Sequence, residues 1–287
     1  MGIHYFWTMR FLRNLLVGLK AYYHAVIFIR EHRLYWFLPV PAVLMLGIYK
    51  LGDAIRIHQI QIRDESMNDI VWTMIRLLIE IIAGLTLMKF SKYLVVILLS
   101  PLLSFLSMRC EKILTGNVYS FDTNQFYNDI KRGIRITFRN LLWHYSFFAL
   151  IFLIAWLGWD RPELSPFYYL TFVIGFFYYG FSFLDYVHER LKMDLAQSVA
   201  FIRQHRGLAI SIGMIYSLMI LVPVDLNVLF TGKGFQNGFF SGLANYFLHL
   251  LLWICAAFAP ILAIVAATIA MHEVVDLKKG HKRTSVR

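Results

Sequence analysis

Apolar residues gather in six long runs along the chain, at 36–52, 82–107, 141–159, 167–184, 208–230 and 243–271. Crossing the roughly 30 Å hydrocarbon core of a bilayer takes about 20 helical residues, within a range of about 17–25. All six runs are long enough, the first and fourth near the lower limit. None shows the two-residue alternation of a lipid-facing strand, and the aromatic-rich runs are too long for barrel strands. The second run extends a low-polarity stretch at 70–107, in which Arg76 and Glu80 stand at i,i+4 and can pair on one helix face. Residues 70–81 are therefore expected as a helical extension above the membrane.

Residues 5–29 follow another pattern. At about 100° per residue, Arg10, Arg13, Asn14, Lys20 and His24 fall within roughly a third of a helix circumference. Phe6, Phe11, Leu12, Leu15, Leu16, Leu19, Tyr22, Tyr23 and Val26 fill most of the rest. This predicts an amphipathic helix lying in the membrane interface, apolar side down; the alternative for its second half is packing on other helices. Basic residues interrupt each apolar run here and no small-residue cleavage site follows, so no cleavable signal is expected. The expected fold is all-α: a polytopic helical membrane protein with about six membrane-inserted helices and an N-terminal amphipathic helix. Its parts are the interfacial helix at 1–35, one membrane domain at 36–271 and a basic tail at 272–287.

Pro39 and Pro41 open the first span, where a missing N–H is tolerated. Pro101, preceded by Ser100, lies inside the second and predicts a kink or local unwinding. Pro162 and Pro166 mark a tight outer turn, and the glycines at 232, 234 and 238 a flexible external loop. Trp72, Trp156 and Trp159 fall near outer span ends, and Trp36 and Trp143 near inner ends, as interfacial anchors do.

Composition agrees. Hydrophobic residues make up 59% and charged residues 16%, with mean hydropathy +0.60; this is more apolar surface than one soluble core accommodates. The formal charge of +11 would, in a soluble chain, suggest nucleic acid. Its distribution says otherwise. The segments at and between the spans, 1–35, 53–69, 108–140, 160–166, 185–207, 223–242 and 272–287, carry 5, 2, 6, 1, 4, 1 and 5 basic residues. That alternation is the signature of six crossings with both termini cytoplasmic. The charge then marks orientation in a lipid bilayer, with no nucleic-acid partner. The tail at 278–287 is short and basic, and is expected to be disordered.

Enzyme chemistry is not visible. There is no P-loop, no His-Glu-x-x-His and no Gly-x-Ser-x-Gly. His188-Glu189 and His272-Glu273 lack a second histidine at i+4, and Cys110 and Cys255 have neither disulfide-framework nor metal spacing. No cofactor, no metal and no catalytic residue are expected. Charges within or beside the spans are more informative. Lys89 and Lys92 lie one turn apart on the second span and either snorkel or line an aqueous path. Arg109, Glu111 and Lys112 end that helix. Glu111 either pairs with Arg132 or Arg135 or belongs to a solvated helix end. Asp185 closes the fourth span, with Arg203 or Arg206 as candidate structural partners. Asn245 and His249, at i,i+4 on the last span, suit hydrogen bonds between helices.

The order of features resembles the CysZ-like sulfate permeases, which are grouped with the etoposide-induced membrane proteins. The residues that carry the resemblance are Gly18-Leu19-Lys20 followed by Leu38-Pro39; Ser100-Pro101 followed by Glu111 and Leu114-Thr115-Gly116; Asp129 with Arg132; then Asp185-Tyr186, Arg203, Gly213, Pro223 and the small-residue run at 262–268. It covers about residues 18–277. The resemblance implies an oligomeric inner-membrane protein with sulfate uptake as its activity, in some members built partly from hairpins that enter the membrane half-way. It also implies an anion site at the start of the first membrane helix, where the family arginine matches Arg33. Glu31 stands where the family has glycine and Leu34 replaces a second basic residue. A carboxylate beside an anion site is unfavourable, so a non-transporting scaffold or assembly protein is the alternative to an anion permease. Asp160, Arg161 and Glu163 crowd one external turn. Charges at a buried apex cost several kcal/mol, so apices that reach water are expected, with half-inserted hairpins shielded inside an oligomer as the other possibility.

Overall fold

The computed structural model describes residues 2–62, 78, 92–117, 123–230, 235, 238–275 and 277. All regular structure among them is helical. Helix α1 (Gly2–Glu31) ends in a left-handed turn at Arg33 (φ 55°, ψ 33°), and a 3-10 turn (Leu34–Phe37) leads into α2 (Pro39–Ile62). Pro39 occupies the first position of α2, where its missing N–H removes no intrahelical bond. Two short helices follow, α3 (Lys92–Leu98) and α4 (Ser100–Thr115), bent by 69° at Leu99. This is the break expected at Ser100-Pro101: the proline cannot bond back to the carbonyl four residues earlier, and its ring crowds it. Gly116, at φ 77°, closes α4.

Helix α5 (Thr123–Gly158) runs the third span together with the chain before it into one 36-residue element. The turn at Pro162–Leu164 leads to α6 (Tyr168–Arg190). A capping box between Asp194 and Gln197 starts α7 (Leu195–Gln204). Then come α8 (Arg206–Ile220), α9 (Leu226–Phe230) and the 36-residue α10 (Phe239–Val274). Among the described residues three helices are long and apolar enough to cross a membrane, Ile130–Gly158, Tyr168–Arg190 and Phe239–Val274; the α3–α4 pair makes a fourth if it counts as one span. Two of the six expected segments are shorter apolar helices, Leu34–Lys50 and Arg206–Ile220. The continuous span expected at 208–230 is corrected: the helix stops at Ile220 and resumes at Leu226. Pro223 is the physical reason, since it lacks an N–H and disfavours helical backbone in Val222. At about 1.5 Å per residue α8 is roughly 22 Å long, short of the hydrocarbon core. All of the extension expected at 70–81 except residue 78, including Arg76 and Glu80, lies outside the described residues, as do the tail at 278–287 and Trp72.

Helix α8 sits at the centre. A Cβ added to Gly213 would overlap the carbonyl oxygen of Phe176, and one added to Gly180 the carbonyl oxygen of Ala209. Helices α6 and α8 therefore touch backbone to backbone, as small residues allow in membrane packing. On its other side α8 meets α1. Gly18 faces the Ser211 hydroxyl, Gly207 faces the Phe11 carbonyl, and the Tyr22 hydroxyl donates to Ile212 O at 2.6 Å. Thus α1 is packed on other helices along Ala21, Tyr22, Ala25 and Ile29, while Leu12, Leu16, Tyr23 and Val26 stay exposed. Most of the alanine-rich second half of α10 is buried, including the unbroken run from Ala259 to Thr268. Its first half and α5 turn Leu150, Trp156, Leu157, Phe240, Phe247 and Leu251 outward. Such a girdle suits lipid. Trp36, Trp143 and Trp156 are also outward-facing.

Four basic segments, 1–35, 108–140, 185–207 and the chain beyond 272, converge. Arg132 reaches Asp185, Arg190 reaches Glu111, Asn117 reaches Leu277 O, and Arg10 reaches His205. The ends of α4, α6 and α10 and the starts of α5 and α8 thereby share one end of the assembly.

Candidate functional site

Lys92 opens α3, against α6 and α8. Its ammonium donates to Ser217 Oγ at 2.7 Å and stands 5.1 Å from the centre of the Tyr179 ring. The Tyr216 hydroxyl donates to Lys92 O at 2.8 Å and fixes the backbone there. Tyr93, fully buried next to Lys92, packs tilted against Tyr179 with ring centres 4.5 Å apart and bonds His144 Nδ1 at 3.2 Å. Phe183 packs edge-on against Tyr216. The site is an aromatic cage whose one cation faces a ring and a hydroxyl; the ring face attracts the cation without neutralising it. Among the described residues no ion pair holds Lys92.

A second constellation lies at the converging end. Asp185 accepts from Arg132 Nε and Nη2 at 3.3 and 3.4 Å and from the Ser198 hydroxyl at 2.7 Å. Arg132 also donates to Met193 O at 2.6 Å, which locks the turn after α6. His188 Nδ1 lies 2.8 Å from Ser198 Oγ. The serine proton already goes to Asp185, so Nδ1 is the donor to Ser198. A Ser–His–Asp nucleophile needs the opposite order, with histidine accepting from serine and donating to aspartate. The cluster is therefore a structural relay. Beside it, Arg190 Nε meets Glu111 Oε2 at 2.5 Å, Nη2 donates to Ser107 Oγ at 2.7 Å and Nη1 to Tyr186 O at 2.8 Å. Ser107 Oγ bonds Thr268 Oγ1 at 2.7 Å, so the network ties α4, α6 and α10 together.

The charged residues singled out in the sequence thus divide. Glu111, Arg132 and Asp185 join the two linked clusters, but with different partners from those expected: Arg132 goes to Asp185 and Glu111 to Arg190. Arg203 is exposed on α7, and Arg135 is exposed on α5. Arg109 lies over the Phe37 ring at 5.8 Å. Arg33 stands exposed at the left-handed turn. Lys89 lies outside the described residues. His249 Nδ1 accepts from the Asp225 N–H at 3.1 Å, so it ties α10 to the chain before α9. Sequence reasoning missed Arg190, Ser198 and the aromatic cage. Arg190 and Glu111 are 79 positions apart, and no local spacing announces such a pair. Among the described residues no group of His, Cys, Asp or Glu is arranged to hold a metal ion.

Residues 5–232 match the model of a protein family described as "Sulfate transporter CysZ/Etoposide-induced protein 2.4". No curated protein and no solved structure matches the chain.

Proposed function

The chain belongs to the Sulfate transporter CysZ/Etoposide-induced protein 2.4 family, and from that premise we propose that it is an inner-membrane permease or channel-like protein for sulfate or another small inorganic anion. The observation that carries this reading is Lys92, a cation among apolar helices whose ammonium meets only a hydroxyl and an aromatic ring among the described residues. Ionisable groups at such positions mark ion pathways. A hydroxyl and a ring leave the positive potential available to an anion while keeping its binding weak enough for release. Arg33, at the amino end of the turn into α2, supplies a planar fork for an oxyanion at the entrance, and Lys89 lies one turn from Lys92 in sequence. Glu111 with Arg190 and Asp185 with Arg132 serve as the structural charge network at the cytoplasmic end, with Arg109, Arg135 and Arg203 as further cations of that end rather than members of the network. Residues 1–35 act as an interfacial unit beside one membrane domain at 36–271, with both termini cytoplasmic. The outward apolar faces of α5 and α10 serve lipid and a homo-oligomeric contact. Without an ATP-binding motif, transport is passive or ion-coupled.

The proximity of Glu31 to Arg33 in sequence favours the second reading, a membrane scaffold of the same family without transport. Uptake of labelled sulfate into liposomes carrying the purified protein separates the two. The permease reading expects saturable uptake above protein-free vesicles; uptake equal to protein-free vesicles across a pH range leaves the scaffold.

A further inference from the structure

Beside the amino end of α8 lies a cleft of about 580 Å³. Its polar walls are Arg10, Arg13, Asn14 and Lys20 of α1, His205 at the start of α8, and Glu273 near the end of α10. Three cations thus face one carboxylate. Asn14 is only 2% exposed, and its amide nitrogen is buried with no hydrogen-bond partner among the described residues. A buried donor without an acceptor is unfavourable, so the Asn14 amide calls for an acceptor that Glu273, on the cleft wall, does not supply. His205 does not supply one: Nδ1–H donates to Phe201 O at 2.9 Å, and Nε2 accepts from Arg10 Nη2 at 3.3 Å. That contact makes the imidazole neutral and holds the Arg10 fork in place. Burial pushes His205 below its ordinary value, as do the charges of Arg10, His188 and Arg13, against the Phe201 carbonyl. His205 also begins α8 with no side-chain cap, so the positive end of a 15-residue helix adjoins the cleft. Leu16, exposed on α1, adds an apolar wall.

We propose that this cleft binds a tetrahedral oxyanion group, either the phosphate of an anionic lipid headgroup or a free oxyanion. Guanidinium forks, an ammonium, a buried amide and a helix amino end are all donors or positive, and a phosphate group is acceptor-rich and negative. The site is separate from Lys92 and Arg33, and it stands whether or not the chain transports sulfate.

The test uses the full chain in a neutral detergent. Binding is followed by intrinsic tryptophan fluorescence during titration with short-chain phosphatidylglycerol, with short-chain phosphatidylcholine, and with sodium phosphate against sodium chloride at equal ionic strength. Saturable binding is expected, weakened about tenfold or more in Arg13→Gln and in Asn14→Leu and unchanged in Lys112→Gln, which removes an exposed cation elsewhere. Saturation by phosphatidylglycerol alone assigns a lipid headgroup, by phosphate alone a free oxyanion, and by both the shared phosphate group. If neither saturates, if Arg13→Gln binds as the unaltered chain does, or if Lys112→Gln weakens binding equally, the proposal falls. Arg13 is exposed, so its substitution keeps the test valid should Asn14→Leu fail to fold.

Discussion

Replacing Arg190 by methionine leaves Glu111 as a buried carboxylate stripped of its guanidinium. The two side chains are 4% and 1% exposed and meet at 2.5 Å, so water cannot take over from the lost arginine. Breaking a pair this deeply buried costs about 3–5 kcal/mol. The bonds from Arg190 to Ser107 and to Tyr186 O disappear with it, which places the expected loss in the upper part of that range. Methionine fills much of the arginine volume, so the loss measures charge rather than a cavity. The double variant Arg190→Met with Glu111→Gln removes the buried charge and should recover more than half of the loss, because two facing residues of one network are not additive. Reversible unfolding in mixed micelles of a neutral detergent and dodecyl sulfate, followed by far-ultraviolet circular dichroism, gives the three stabilities. A loss below about 1 kcal/mol for Arg190→Met would place the pair among screened surface bridges. A double variant no more stable than the single one would show that the buried carboxylate is not the cause.

Gly213→Ala should destabilise the chain by about 1–3 kcal/mol, because the new methyl meets the Phe176 carbonyl and forces α6 and α8 apart. The same change at Gly47, where nothing lies within 4 Å, should be neutral or stabilising by up to about 1 kcal/mol; equal effects in the micelle assay would refute the close α6–α8 contact. His205 gives a pH dependence. Its folded value is lowered by burial and by Arg10 and Arg13 of α1 and His188 of α6, with Glu273 of α10 on the same cleft. The unfolded histidine takes up a proton near pH ~6.5 and the folded one only at lower pH. Stability in phosphate- and sulfate-free buffer is therefore undiminished above that value and falls as pH drops below it. His205→Asn should flatten this fall, and a variant that keeps the full slope would exclude His205 as its source.

The all-helical class and most element positions are legible in the sequence because they rest on local quantities: run length, proline placement and charge alternation. The 69° bend follows from Pro101, and the opening of α2 from Pro39. The stop at Ile220 was equally available in Pro223, but the hydrophobic run continues past it and hides the break. Tertiary pairing is less legible. Glu111 has several arginines within plausible reach along the chain, and its choice of Arg190 depends on how α4 leans on α6, a contact between residues 79 positions apart. The polar face of α1 could be read from its spacing, whereas its meeting with His205 and Glu273 required the fold. Lys92 is legible in the sequence as a charge on an apolar span, but its cage of Tyr93, Tyr179 and Tyr216 comes from three helices and leaves no local trace.

Labelled sulfate influx into liposomes, compared between the unaltered chain and Lys92→Gln, bears most directly on anion permeation past the caged lysine. Glutamine keeps a donor for Ser217 and removes the positive charge. The account predicts saturable influx through the unaltered chain and a loss of about tenfold or more in Lys92→Gln, as expected when one unit charge is removed from a low-dielectric path. Equal influx through both proteins, at matched incorporation and helicity, would contradict it.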